Sequence, residues 1–399
     1  MPKHYRIMVM ILACAWSGAC RGTFITHAAD VDRLLRHELF FVHLESYSYG
    51  LSEEIQWASR ETCFRAGAGS FTSKIFLLDV DVKIRHPLNK WLTFKYRWHH
   101  EDNRLLEETD HRAALFLTAG RFGIGVTGMA EGAKQGNDVG GVVSYREAED
   151  HWIEASYTQL DCMHNMKTLD KGVYLDLPEQ YRMALMWRFG AAWAMAGKLR
   201  WDTAWAYRDR DGRQERYVRC GDLYLEREGA PWCMGLEVHW LREHADRFAA
   251  DARMDSLNLH AVRVTGELRY DVNRWCWRYR LGWAGLHGNG YEEVRQRLTP
   301  PLENFRFTRD DVLTAVEVEA ALGGSDRVAV GLITGLVDIA APAARTIPAL
   351  DAVIRAKVVG EYCHGFNVAG DRGDLVLLMS YNVTERRFGG GDARLVFWL

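Results

Sequence analysis

A chain of 399 residues, 48% hydrophobic and 26% charged, has room for one large domain or two ordinary ones and the composition of an average soluble protein. Its net charge of -3 offers no basic footprint for nucleic acid. After the N-terminus no apolar run reaches the roughly 20 residues that a membrane helix needs, which excludes a helical membrane bundle. Two classes remain: a soluble all-β protein, or a barrel that crosses a bilayer with strands and keeps its mean hydropathy near neutral because apolar and polar residues alternate.

The first elements belong to export. Lys3, His4 and Arg6 precede an uncharged apolar run from Ile7 to Trp16, and small residues follow at Ser17, Gly18, Ala19, Ala28 and Ala29. This is the layout of a secretory signal peptide, here residues 1–29, with cleavage after Ala28 or Ala29 and Ala19 as the second choice. Cys20, after Ser17-Gly18-Ala19, raises the alternative of a lipid-modified cysteine, although Ser17 stands where such sites usually carry Leu. Residues 30–399 are expected to form a single domain. Asp30 to Arg36 reads as a short helix or tail, too short for a plug.

From there a period of two recurs. Leu78, Val80, Val82 and Ile84 alternate with Asp79, Asp81, Lys83 and Arg85; after His86-Pro87-Leu88-Asn89, Leu92, Phe94, Tyr96 and Trp98 alternate with Thr93, Lys95, Arg97 and His99. Side chains on a strand point alternately to opposite faces, so these segments predict a hairpin with one apolar and one charged face. The same pattern runs through 182–189, 198–208, 234–240, 262–270, 275–283, 316–322 and 354–362. Weaker strands are expected at 37–49, 55–66, 113–119, 122–130, 139–147, 151–160, 216–226, 328–336 and 375–383. Turns are expected at Gly67-Ala68-Gly69-Ser70, Asp211-Gly212, Asp271-Val272-Asn273, Gly323-Gly324-Ser325-Asp326, Asp371-Arg372-Gly373-Asp374 and Gly389-Gly390-Gly391-Asp392. The stretches 161–180 and 287–311 lack a clean strand pattern and read as long loops, either of which could fold inward as a constriction.

The total is about 16 strands, within a range of about 14 to 18, many near 10 residues long, the length of a tilted membrane strand. Trp91, Trp98, Tyr207, Trp240, Tyr270, Trp275 and Trp283 cluster at strand ends, as interfacial girdles require. The expected fold is therefore all-β, a transmembrane antiparallel up-and-down barrel. A soluble sandwich would use the same alternation with the faces reversed, charge outside and tryptophan inside.

At the chain's end Ala393, Leu395, Phe397 and Leu399 alternate with Arg394, Val396 and Trp398. This resembles the C-terminal strand of bacterial outer-membrane barrels, which usually ends on an aromatic residue; here Leu399 takes that place behind Phe397 and Trp398. The resemblance implies residence in the outer membrane, contact with its lipid and its assembly machinery, and a porin-like architecture. Barrel channels of this kind are often homo-oligomers, but no subunit interface is marked in the sequence.

Local catalytic motifs are lacking. Ser70 forms no G-x-S-x-G elbow, there is no H-E-x-x-H, phosphate-binding or dinucleotide-binding glycine motif, and no zinc-type cysteine spacing occurs. No cofactor and no enzymatic activity are expected. Beyond Cys14 and Cys20 the cysteines are Cys63, Cys162, Cys220, Cys233, Cys276 and Cys363; an oxidising compartment permits disulfides among them without indicating which. His99-His100-Glu101-Asp102 reads as a solvated rim. If the apolar face meets lipid, the charged face lines a lumen, and its basic members Lys83, Arg85, Lys95, Arg97, Lys198, Arg200, Arg263, Arg269, Arg278, Arg280, Arg355 and Lys357 are the pore-lining candidates. With Arg182, Arg188, Arg208 and Arg394 they outnumber the acids of the same face, Asp79, Asp81, Glu101, Asp202, Glu237, Glu267, Glu317, Glu319 and Glu361. The expected function is a passive channel for small solutes with a weak anion preference. The alternatives are a barrel filled by cross-strand ion pairs and active through its loops, and a barrel-embedded hydrolase.

Overall fold

The computed structural model describes residues 63–398, apart from 73–74, 104–106, 132–136, 149–150, 163–172, 209–211, 250–251, 290–305, 341–349, 369–370 and 385. The proposed signal peptide, the segment 30–36, the strand expected at 37–49 and most of that at 55–66 lie outside these residues. The strands are β1 (Cys63–Thr72), β2 (Ile75–Pro87), β3 (Leu92–Asn103), β4 (Glu107–Ala119), β5 (Phe122–Glu131), β6 (Asn137–Ala148), β7 (His151–Gln159), β8 (Val173–Asp176), β9 (Glu179–Phe189), β10 (Trp193–Asp202), β11 (Trp205–Arg208), β12 (Arg213–Arg227), β13 (Trp232–Ala249), β14 (Ala252–Val272), β15 (Trp275–Asn289), β16 (Arg306–Gly323), β17 (Asp326–Ala340), β18 (Leu350–Val368), β19 (Asp371–Asn382) and β20 (Arg387–Trp398).

Every pairing is antiparallel, and the circuit returns on itself: β20 pairs with β1 from Cys63↔Trp398 to Ser70↔Gly391. Two strands are each interrupted once. β8 continues β9 beyond Leu177-Pro178, where proline has no N–H for the ladder, and β11 continues β10 beyond Thr203-Ala204. The break is stitched, since Thr203 N–H donates to Glu179 O at 2.9 Å and Glu179 N–H to Thr203 Oγ1 at 3.2 Å. Twenty segments less these two continuations leave 18 strands around the barrel among the described residues.

The predicted hairpin is present as β2–β3 with Val82 opposite Trp98. Turns at 88–91, 120–121, 190–192, 228–231, 273–274 and 324–325 all fall at the end of the barrel that holds Cys63 and Trp398; the long sequence intervals from Gln159 to Val173, Asn289 to Arg306 and Ala340 to Leu350 separate strand ends at the other. Asn273 at φ 55° and Gly324 at φ 61° supply the left-handed residues that such tight turns need. Short turns at one end and long intervals between strands at the other are the arrangement of outer-membrane barrels, periplasmic and extracellular ends respectively.

Three glycine-rich turn expectations are corrected. Gly67-Ala68-Gly69-Ser70 lies inside β1, Asp371-Arg372-Gly373-Asp374 opens β19, and Gly389-Gly390-Gly391-Asp392 lies in β20. These glycines mark strand rather than turn because ladder pairing with β2, β18 and β20 outweighs their local preference. The turn expected at 271–273 is at Asn273-Arg274, and the stretches 161–180 and 287–311 contribute β8, the ends of β9 and β15, and the start of β16.

The two faces of this sheet decide its solvent. Leu117, Ile124, Val126, Val330 and Leu332 are exposed on the outside, Ile124 and Val126 by more than 60%, whereas Lys95, Arg97, Lys198, Arg263, Arg278, Arg280, Glu237 and Glu317 are buried within. A soluble sandwich requires the reverse. Soluble monomers rarely expose more than a few hundred Å² of contiguous apolar surface, but a continuous apolar belt is what hydrocarbon demands. Aromatic residues edge this belt. Trp91, Phe122, Phe189, Trp193, Trp232 and Trp275 stand exposed near the periplasmic end. Further up, Tyr157, Tyr181 and Trp201 lie opposite one another on β7, β9 and β10, with Trp240 on β13 and Trp283 on β15 continuing the band. The protein is an all-β transmembrane barrel of the outer-membrane type.

Candidate functional site: the barrel interior

The interior is not uniform. On β12 to β16 the inward positions carry long charged side chains, and the antiparallel register sets acids opposite bases. Asp222 faces His239 and bonds its Nδ1; Glu237 faces Tyr224 and accepts a 3.0 Å hydrogen bond from its hydroxyl, while Arg263 donates to the same carboxylate. Arg280 Nε reaches Glu267 at 2.9 Å, and Arg278 is held by Glu317 directly opposite and by Glu319 at 2.6 Å. Arg269 binds Asp271 at 3.0 Å. The set forms a continuous ladder in which four arginines and His239 meet six carboxylates. Cross-strand pairs of opposite sign stabilise a sheet, and burial makes each partner costly to remove.

On β4 to β7 the inward positions are mostly short. Ala114, Gly123, Gly125, Thr127, Gly140, Val142, Ser144 and Ser156 leave space between the larger Phe116, Trp152, Arg112, Met129, Arg146 and Glu154. A side chain could not replace Gly125 or Gly140 unnoticed: a Cβ there would meet the carbonyl oxygen of Leu115 or Tyr157 within 2.5 Å. A cavity of about 210 Å³ opens here toward the periplasmic end, bounded by Arg85, Lys95, Arg121, Arg146 and Glu154. A second, of about 50 Å³, lies against Arg112, Glu154 and Arg182. The two share Phe116 and Glu154 as lining residues. Lys95 spans toward Glu154 at 3.4 Å and sits 4.2 Å from the Phe116 ring centroid.

The candidates named from sequence divide accordingly. Arg85 and Lys95 bound the larger cavity, and Arg97 is buried beside them on β3. Lys198 is buried on β10, and Arg200 binds Asp202 at 2.7 Å. Arg263, Arg269, Arg278 and Arg280 belong to the charged ladder. The side chains of Lys83, Arg355 and Lys357 lie outside the described set. Sequence reasoning missed Arg112, Arg121, Arg146 and Glu154, because around them the alternation is large against small rather than apolar against charged. His99 to Asp102 occupy the upper end of β3, not a loop, with His100 Nδ1 2.8 Å from Thr109 Oγ1. Cys220, Cys233, Cys276 and Cys363 are buried free thiols on inward positions. Cys233 donates to Glu226 at 3.2 Å, and Cys363 accepts from Arg327 at 3.1 Å. Among the described residues no group of three or more His, Cys, Asp or Glu is placed to hold a metal ion.

No protein-family model matches the chain, and no curated protein matches it in sequence. Solved structures similar in shape include a bacterial polysaccharide outer membrane secretin, at 10% identity over 86% of this chain and 99% of that one with a TM-score of 0.44. Pseudomonas aeruginosa OpdQ is similar at 7% identity over 84% and 96% of the two chains, TM-score 0.44, and Pseudomonas aeruginosa OpdK with vanillate at 11% over 84% and 96%, TM-score 0.42. Scores at this level carry no weight of their own; the closed circuit, the outward apolar belt and the buried charged lining define the barrel.

Proposed function

We propose that this barrel is a passive channel for small polar solutes, with a weak preference for anions, and that its permeation path follows the β4–β7 side. Barrels of 16–18 strands are wide enough to leave an aqueous channel unless side chains fill it. The observation that carries the reading is the cavity against β4–β7, where Arg85, Lys95 and Arg146 surround the carboxylate Glu154 and Arg121, paired with Glu147 at 2.8 Å, closes the rim. Basic groups gathered at a narrow, low-dielectric passage lower the barrier for anions and raise it for cations. The cations of the ladder on β12–β16 are each held by a carboxylate, so they add little to the attraction of anions.

Conductance of the refolded barrel in a planar bilayer, under a salt gradient, tests this. Discrete steps with a reversal potential shifted toward anions are expected. A cation-shifted reversal potential would remove the anion preference. Silence from protein proven to be folded and inserted would favour the second reading, which the buried ion-pair ladder recommends: a filled barrel acting through its extracellular loops.

A further inference from the structure

On the outer wall, in register with Trp201 of the upper aromatic band, four basic residues stand in one row. Arg219 on β12 lies opposite Arg242 on β13, Arg242 opposite His260 on β14, and His260 opposite His287 on β15. Each has the outward parity of its strand, shared with Leu223, Trp240, Val262 and Tyr279. The row sits one alternation beyond Trp240 and Val262, where the apolar belt gives way to the extracellular headgroup region. Arg242, His260 and His287 are exposed.

Like charges placed directly opposite on neighbouring strands destabilise a sheet. Among the described residues none of the four forms an ion pair with a carboxylate. The polar contact of Arg219 is with the carbonyl of Asp202 at 3.5 Å. Its guanidinium lies 4.0 Å from the Trp201 centroid and 4.5 Å from that of Tyr217, and Arg242 approaches Tyr217 to 5.8 Å. Outward carboxylates flank the row rather than entering it: Asp246 faces His244 at 3.6 Å, and Asp310 lies beside Gly285 on the next strand.

We infer that this row binds the phosphate groups of an outer-leaflet glycolipid of the lipid A type. Two arginines fixed by aromatic rings present planar donors suited to phosphate oxygens, and two imidazoles extend the same edge. The lipid source follows from position. Acyl chains attached to a phosphate held here would run down over Leu223, Val262 and Tyr279, which are exposed in the belt below. The inference depends on the membrane orientation of the barrel and not on whether it conducts.

Native mass spectrometry of the folded protein in detergent, with added diphosphoryl lipid A or its dephosphorylated counterpart, tests it. Retention of the diphosphoryl form is expected to exceed that of the dephosphorylated form at least about tenfold, and to fall by a similar factor in R219Q/R242Q/H260N/H287N. Equal retention of the two lipids, or undiminished retention by the variant, would overturn the proposal. Displacement by inorganic phosphate at equimolar concentration would overturn the lipid source and indicate a free-anion site. The comparison of the two lipids on the unaltered protein decides the matter even where the variant does not fold.

Discussion

The walls formed by β4–β7 and by β12–β16 are built from the same alternation and solve opposite problems. Both turn apolar residues outward, yet one fills its inner face with Arg–carboxylate pairs and the other sets Gly, Ala, Ser and Thr among its few long side chains. A wall of paired long side chains is rigid, electrically quiet and impermeable. A wall of small residues leaves volume, and the charges at its margins, Arg85, Lys95, Arg121 and Arg146, bear on whatever enters. One barrel thus separates support from passage around its circumference.

Removing one partner from the ladder should give the largest effect. Glu237→Ala strands the buried Arg263, and loss of such a partner costs about 3–5 kcal/mol. Glu154→Ala on the cavity side, where the Lys95 pair is longer at 3.4 Å and the cavity lies beside the carboxylate, should cost less. Denaturant unfolding in detergent, compared at equal slope, measures both. Similar losses would show that the two walls are not different in kind. Next in size, Gly140→Val should destabilise the barrel by about 1–3 kcal/mol, because its Cβ meets the Tyr157 carbonyl; Gly331→Val on β17, where a Cβ would stand 3.5 Å from the Val316 carbonyl oxygen, should cost less in the same assay.

Much of this division is invisible in sequence for a physical reason. Alternation of apolar with charged residues, as in 78–85 or 275–283, announces both the strand and its inner face. Where the inner residues are small, as at Gly123, Gly125, Gly140 and Ser144, the alternation is faint, and the strand is legible only as a weaker candidate although its register is regular. The glycines of β1 and β20 mislead in the same way: a turn preference is local, while closure of the barrel between Cys63 and Trp398 is not. The pairing of Arg278 with both Glu317 and Glu319 needs the register of β15 on β16, which no periodicity supplies. Periodicity also leaves open which face meets solvent, and exposure answers that.

Two smaller effects sharpen the contrast. The double substitution Arg121→Gln/Arg146→Gln should move the reversal potential toward cations, whereas Arg278→Gln/Glu317→Gln should leave it in place; a shift from the second alone would put the permeation path along the ladder. A membrane-impermeant maleimide should modify Ser156→Cys, at the margin of the smaller cavity, faster than the native Cys220 or Cys276 within the packed wall. Labelling rates of the three thiols, followed by mass, give the answer.

The inside-out assignment is tested most directly by spin labels at consecutive positions of β4 and β17 in lipid bilayers. Leu115, Leu117, Val330 and Leu332 should report high accessibility to oxygen, the lipid-soluble relaxant, while Ala114, Phe116, Ala329 and Ile333 should not. The reverse alternation, with oxygen reaching the second set and a water-soluble nickel chelate reaching the first, would contradict a membrane barrel and return the chain to a soluble sheet.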